Sequence, residues 1–155
     1  GRHARRRAGR PRGMNLFVKI CGMTTPEAVT AAAAAGADAV GFVFANSPRS
    51  VDVARACALS RALPPGILRV AVFRHPEAEL ARAVREGFRP DWVQSDLADR
   101  DGMPQGPGAF LPVLRAGDPW PDPLPARLLF EGPVSGSGTL VRTPVSSKPM
   151  EVYSS

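Results

Sequence analysis

The chain has 155 residues, 44% of them hydrophobic, with 20 Lys and Arg against 14 Asp and Glu and a formal net charge of +6. That length suits one domain with a buried core, and no apolar run approaches the ~18 residues of a membrane-spanning helix. Two cysteines, Cys21 and Cys57, are too few for a disulfide framework, and His3 and His75 without clustered cysteines exclude zinc-type ligand spacing, so no metal is expected.

The positive charge belongs to one end. The first 13 residues hold Arg2, Arg5, Arg6, Arg7, Arg10 and Arg12 and no acid, which leaves 14 basic and 14 acidic residues in the rest. Residues 1–13 are expected to form a disordered Arg-rich extension. Three origins fit it: an arm drawn to phosphate by counterion release, a transit-peptide remnant, although the stretch has no Ser, or translated upstream sequence with Met14 as the start. The balanced body offers no electrostatic footprint, and nucleic acid is not expected as a partner. Lys19 interrupts the one candidate for a signal-peptide apolar region. A cytoplasmic location without membrane association is expected.

Taken in order, Leu16 to Cys21 reads as a first strand. Thr24 or Thr25 can cap a helix with Pro26 in its first turn, and Gly36 is placed to stop it. Ala39 to Phe44 is a second strand, apolar throughout as expected for a parallel strand covered on both faces. Asp52 can start a helix reaching about Leu63, before Pro64-Pro65, with Cys57 as a packed thiol. Ile67 to Phe73 is strand three, Pro76 to Glu86 a helix ended by Gly87, and Asp91 to Gln94 strand four. Beyond Ser95 the alternation fades. Ten of the 17 prolines fall at or after Pro104, and Pro119, Pro121, Pro123 and Pro125 rule out a regular helix between strand five (Phe110 to Leu114) and strand six (Leu128 to Glu131).

Repeated βα units of this length imply a parallel sheet with right-handed crossovers. Six strands are visible, whereas a full (β/α)8 barrel takes at least about 200 residues. The expected fold is therefore α/β: an incomplete (β/α)8 TIM barrel with about six of eight strands, over residues 14–139, followed by an irregular tail over 140–155.

In such barrels chemistry gathers at the C-terminal strand ends. Cys21 closes strand one, where a thiol is either a base in its thiolate form or a buried structural residue. Arg49, after Ser47-Pro48, is either a planar fork for a carboxylate or a solvated loop residue. Glu131 closes strand six, either as an acid in a buried setting or as a surface carboxylate. Gly136 and Gly138 can let backbone N–H groups approach a phosphate, or form a plain flexible loop. Gln94 ends strand four.

These segments resemble the phosphoribosylanthranilate isomerase family of tryptophan biosynthesis. The resemblance rests on Lys19-Ile20-Cys21-Gly22, on Gly36-Ala37-Asp38-Ala39-Val40-Gly41-Phe42-Val43-Phe44 closed by Ser47-Pro48-Arg49-Ser50, on Val93-Gln94, and on Leu129-Phe130-Glu131 with Gly136-Ser137-Gly138. It implies an Amadori rearrangement of N-(5-phosphoribosyl)anthranilate, a small phosphosugar–anthranilate substrate, with neither metal nor organic cofactor. By resemblance Cys21 is the general base, Arg49 holds the anthranilate, and Gln94, Gly136 and Gly138 bind substrate. Glu131 stands where the family has the aspartate that acts as general acid, and its extra methylene shifts the carboxyl by more than about 1 Å. The family's Leu-His-Gly after the glutamine is replaced by Ser95-Asp96-Leu97, so the usual His-Gly is missing.

After Gly138 the family continues into Asp-Trp, Gly-Gly-Leu and Asp-Val-Ser-Ser-Gly segments that build the main phosphate pocket, whereas this chain reads Leu140-Val141-Arg142-Thr143-Pro144. The rival expectation is accordingly a non-catalytic barrel fragment. A frameshift or premature stop near Val141 is expected to underlie the change, and translating the surrounding DNA in all frames tests this. Absence of the Gly-Gly-Leu and Asp-Val-Ser-Ser-Gly segments from every frame would sink it.

Overall fold

A computed structural model describes residues 17–132 and 151–154. Strands β1 (Lys19–Cys21), β2 (Ala39–Val43), β3 (Leu68–Val72), β4 (Trp92–Asp96), β5 (Ala109–Arg115), β6 (Arg127–Glu131) and β7 (Glu151–Ser154) form one sheet in sequential order, every neighbouring pair parallel. A sequential parallel order without reversal is the barrel topology, not the doubly wound one. Helices α1 (Pro26–Ala34), α2 (Val53–Ser60) and α3 (Ala78–Phe88) fill the first three crossovers. The expected incomplete barrel is therefore the fold, and β7 differs from the irregular tail expected over 140–155 by adding a short strand, Glu151–Ser154, paired with β6. The disordered extension expected at residues 1–13 lies outside the described residues.

Caps start the helices where the sequence places them. Thr25 Oγ1 accepts from Ala28 N at 3.2 Å, and Asp52 Oδ1 accepts from Arg55 N at 2.7 Å, contacts worth ~1 kcal/mol each. The end of α3 differs from expectation. Gly87 lies inside the helix, and the left-handed stop is Arg89 at φ 50°. Close packing accounts for this: a Cβ at Gly87 would sit 2.8 Å from Val53 Cγ1, so the glycine lets α3 approach α2. Cys57 packs in the same seam, its thiol 3.6 Å from the Gly87 carbonyl.

Alternation along the strands separates two cores. Val40, Phe42, Ala71 and Val93 face the helices, where Phe42 meets Phe88 edge-on at 5.2 Å. Burying each ring contributes ~1.5–3 kcal/mol and the edge contact ~1 kcal/mol, so burial dominates. Ala39, Val70, Trp92, Leu111, Val113 and Leu129 fill the concave face, with Phe17 stacked on Trp92 at 5.3 Å. Aspartates fix the starts of alternate strands. Asp38 Oδ2 accepts from Val18 N at 2.8 Å, and Asp91 Oδ2 accepts from Arg69 N at 2.8 Å.

Past β4 the crossover holds only a 3-10 turn, Leu97–Asp99, and a loop. Arg85 of α3 takes over the bracing a helix would supply. It is 7% exposed and its Nη2 donates to the carbonyls of Gly106 (2.6 Å) and Gly108 (2.7 Å). Burial lowers its pKa below the ordinary value, and the two carbonyls keep the cation hydrogen-bonded. Gly108 adopts φ 99°, where a Cβ would lie 3.0 Å from Val93 Cγ2 and 3.1 Å from the Pro90 carbonyl. We expect Gly108→Ala to destabilise the fold by about 1–3 kcal/mol, read as a lowered urea midpoint; an unchanged midpoint contradicts the packing described.

Candidate active site

Cys21 ends β1 and pairs in register with Gly41 of β2. A Cβ at Gly41 would lie 2.9 Å from Cys21 Sγ, so the thiol occupies space that only glycine leaves open. The Gly41 carbonyl accepts from both Gly22 N (2.9 Å) and Met23 N (3.1 Å), which turns the chain away from the sheet immediately after the thiol. Gly22 takes φ 88°, and a Cβ there would fall 2.8 Å from Arg49 Cδ and 2.9 Å from Arg49 Nη1. The arginine arm therefore lies directly on the backbone beside Cys21. Its loop is tied back by Arg49 N to Ser47 Oγ (3.2 Å), Ser50 N to Ser47 O (3.0 Å) and Val51 N to Val43 O (2.9 Å). Cys21 and Arg49, predicted from strand ends, come together.

Gln94 is 4% exposed on the concave face, level with Val72 and Leu111. Its Oε1 is buried without a hydrogen-bond partner, as is Nζ of Lys19, which shares the Cys21 face of β1. Both are uncommitted polar atoms in the interior, where an unmet group costs ~1–3 kcal/mol. Gly136 and Gly138 lie outside the described residues.

Glu131 ends β6, 7% exposed, and is bound to a residue that the sequence reading missed. Arg115, the last residue of β5 and the register partner of Glu131, donates from Nη1 to Glu131 Oε2 at 3.0 Å. Its Nη2 reaches Asp96 Oδ1 at 2.8 Å and its Nε reaches Asp96 Oδ2 at 3.4 Å. Burial works against the guanidinium charge, but the Asp96 and Glu131 carboxylates outweigh it and hold Arg115 above its ordinary pKa. His75, in the loop after β3, places Nε2 3.4 Å from Asp96 Oδ2 and Nδ1 2.7 Å from Asp99 Oδ1. Its backbone sits at φ 47°, held by His75 N donating to Asp99 Oδ2 at 3.1 Å. The signal for Arg115 was present: like Cys21, it is a reactive or charged residue closing an apolar strand just before a loop.

Register explains how distant residues share one rim. Cys21 is level with Gly41, Val70, Trp92 and Ala109, whereas Glu131 is level with Arg115, six residues further along β5. Such a drift is the shear that tilts barrel strands. A cavity of about 740 Å³ opens elsewhere, lined by Phe44, Asn46, Ser50, Val51, Val53 and Leu80 among others; it lies beside the Arg49 loop but includes none of Cys21, Gln94 or Glu131. Among the described residues there is no metal-type cluster, and no helix is long and apolar enough to cross a membrane.

Asp99 carries a pH dependence. Burial raises its pKa, but hydrogen bonds from Ser95 and from the His75 ring and N–H, with the His75 charge, outweigh burial and leave it below the ordinary carboxylate value. A lowered folded-state pKa adds stability that is present above the unfolded value of about 3.9 and lost as pH falls through the folded value. We expect Asp99→Asn to lower stability at neutral pH and to flatten its loss below about pH 4 in acid titrations followed by circular dichroism; an acid limb as steep as the parent's would contradict this assignment.

No family model matches the chain. It is 38% identical over 125 residues to the N-(5'-phosphoribosyl)anthranilate isomerase of Streptococcus pneumoniae serotype 19F (strain G54), an alignment covering 78% of this chain and 62% of the relative. It is 55% identical over 70 residues to the enzyme of that name from Neisseria meningitidis serogroup B (strain ATCC BAA-335 / MC58), covering 44% of this chain and 34% of the relative. The chain thus spans about 62% of the length of the streptococcal relative. The crystal structure of phosphoribosyl anthranilate isomerase from Thermus thermophilus superposes with a TM-score of 0.67 at 31% identity, covering 82% of this chain and 68% of that one. With its sequential parallel strands and its Cys21–Arg49 junction, the chain belongs to the phosphoribosylanthranilate isomerase family.

Proposed function

We propose that this chain carries its family's chemistry: the Amadori rearrangement of N-(5-phosphoribosyl)anthranilate to 1-(o-carboxyphenylamino)-1-deoxyribulose 5-phosphate, an intramolecular aldose–ketose oxidoreduction in cytoplasmic tryptophan biosynthesis. The observation that carries the reading is the Cys21–Gly22–Gly41–Arg49 junction, in which the thiol lies against Gly41 and the Arg49 arm lies on the backbone of the very next residue, Gly22.

Each step assigns one group. Glu131, at the end of β6, enters the step as the carboxylic acid, gives its proton to the ribose ring oxygen and is left as the carboxylate that pairs with Arg115 at 3.0 Å, while the C1–O bond breaks and the furanose opens to a protonated Schiff base. Cys21, as thiolate, removes the C2 proton; the electrons flow into the iminium and give an enolamine, which tautomerises to the ketone. No outside electron acceptor is required, because C1 is reduced as C2 is oxidised. Arg49 pairs with the anthranilate carboxylate, for which a planar fork is suited. Gln94 offers its buried, unpartnered Oε1 to a substrate donor. Gly136 and Gly138 supply backbone N–H groups to the phosphate. General acid–base assistance of this kind is worth ~10²–10⁴ in rate.

Complementation of a tryptophan auxotroph lacking the isomerase tests the reading. We expect growth with this chain and none with Cys21→Ala, while Arg49→Ala raises KM by about 10–100-fold, the worth of a charged hydrogen bond. Failure of the parent chain to support growth, although folded, would favour the non-catalytic fragment and overturn the proposal.

A further inference from the structure

We propose that Arg115 is a positioning residue for the Glu131 carboxyl, braced from the opposite side by Asp96; this role rests on the isomerase reading above. Three charged side chains close three successive strands, β4, β5 and β6, at one rim. Arg115 spends two of its nitrogens on Asp96, Nη2 at 2.8 Å and Nε at 3.4 Å, which fixes the guanidinium plane. Nη1 then presents one oriented donor to Glu131 Oε2 at 3.0 Å.

The brace is itself held. His75 Nε2 stands 3.4 Å from Asp96 Oδ2, and the imidazole is clamped by Asp99 Oδ1 at 2.7 Å, whose other oxygen accepts from Ser95 Oγ at 2.5 Å. His75 is kept in a left-handed backbone conformation, φ 47°, to make these contacts. Strain of this kind persists only where the surroundings over-determine it.

Stability alone is a poor explanation for the cluster. The side chains of Arg115 and Asp96 are 15% exposed and that of Glu131 is 8% exposed. Buried ion pairs of this sort roughly break even against apolar packing, since desolvation offsets their attraction. Their cost is better explained by what they fix. A glutamate has one more rotatable bond than an aspartate, and its carboxyl sweeps a wider arc. A register partner on the neighbouring strand pulls that arc sideways to one point, which shortens the effective reach of the longer side chain.

The test is a double-mutant cycle on the full chain, with turnover of N-(5-phosphoribosyl)anthranilate and thermal unfolding measured for the parent, Arg115→Gln, Glu131→Asp and the double variant. An aspartate is too short to meet Arg115 in the same way, so the two changes are expected to be coupled. Arg115→Gln should lower kcat by about 100-fold in the parent with KM changed less than about threefold, yet cost under about threefold in the Glu131→Asp chain. Arg115→Lys, which keeps the charge and loses the fork, should recover part of kcat. Should Arg115→Gln fail to fold, Asp96→Asn takes its place in the cycle and is expected to couple in the same direction. Losses that simply multiply across the cycle, or that appear only in KM or in the unfolding temperature, overturn the positioning role. A folded parent without turnover overturns the isomerase reading, and this role falls with it; an active parent with uncoupled losses overturns this role alone.

Discussion

Every described feature of the Cys21–Arg49 pair refers back to β2, whose five residues are all buried between the helices and the concave face. Its Gly41 carbonyl takes two successive N–H groups and so ends β1 at Cys21. Its missing side chain at the same residue leaves room for the thiol. Two residues later its Val43 carbonyl anchors the loop that returns Arg49. A strand buried on both sides cannot shift by one residue without exchanging its two faces, so the thiol and guanidinium inherit a fixed relation from an apolar strand that performs no chemistry.

The second half of the rim is built on a different logic. Its members are charged, and each is held by another charge. Arg115 stays cationic because two carboxylates outweigh burial, and Asp99 stays anionic because Ser95 and His75 do the same for it. Apolar packing positions the Cys21 side of the rim and electrostatics the Glu131 side.

The sequence was legible where a single strand or helix decided the outcome. Cys21 and Arg49 follow from apolar runs that end at a loop, and the prolines correctly forbade a helix before β6. Gly87 misled because a glycine near a helix end signals both a stop and a close contact, and here Val53 required the contact. β7 has no internal periodicity and is defined by its pairing with β6. The Asp96–Arg115–Glu131 cluster was illegible for a related reason. It depends on register across β4, β5 and β6 and on the turn that brings His75 to Asp99, quantities that no one segment contains. That the chain continues from Gln94 as Ser95-Asp96-Leu97 was visible, but the contact Asp96 makes with Arg115 was not.

Asp38 and Asp91 sit at the opposite rim from all of this, each hooking a backbone amide at the start of the neighbouring strand, Val18 just before β1 and Arg69 at the second residue of β3. Alignment of the strands is thereby set from the floor of the molecule. A scaffold secured at one end leaves the side chains at the other to be settled by their neighbours, and the pairing of Glu131 with its register partner Arg115 is settled in that way.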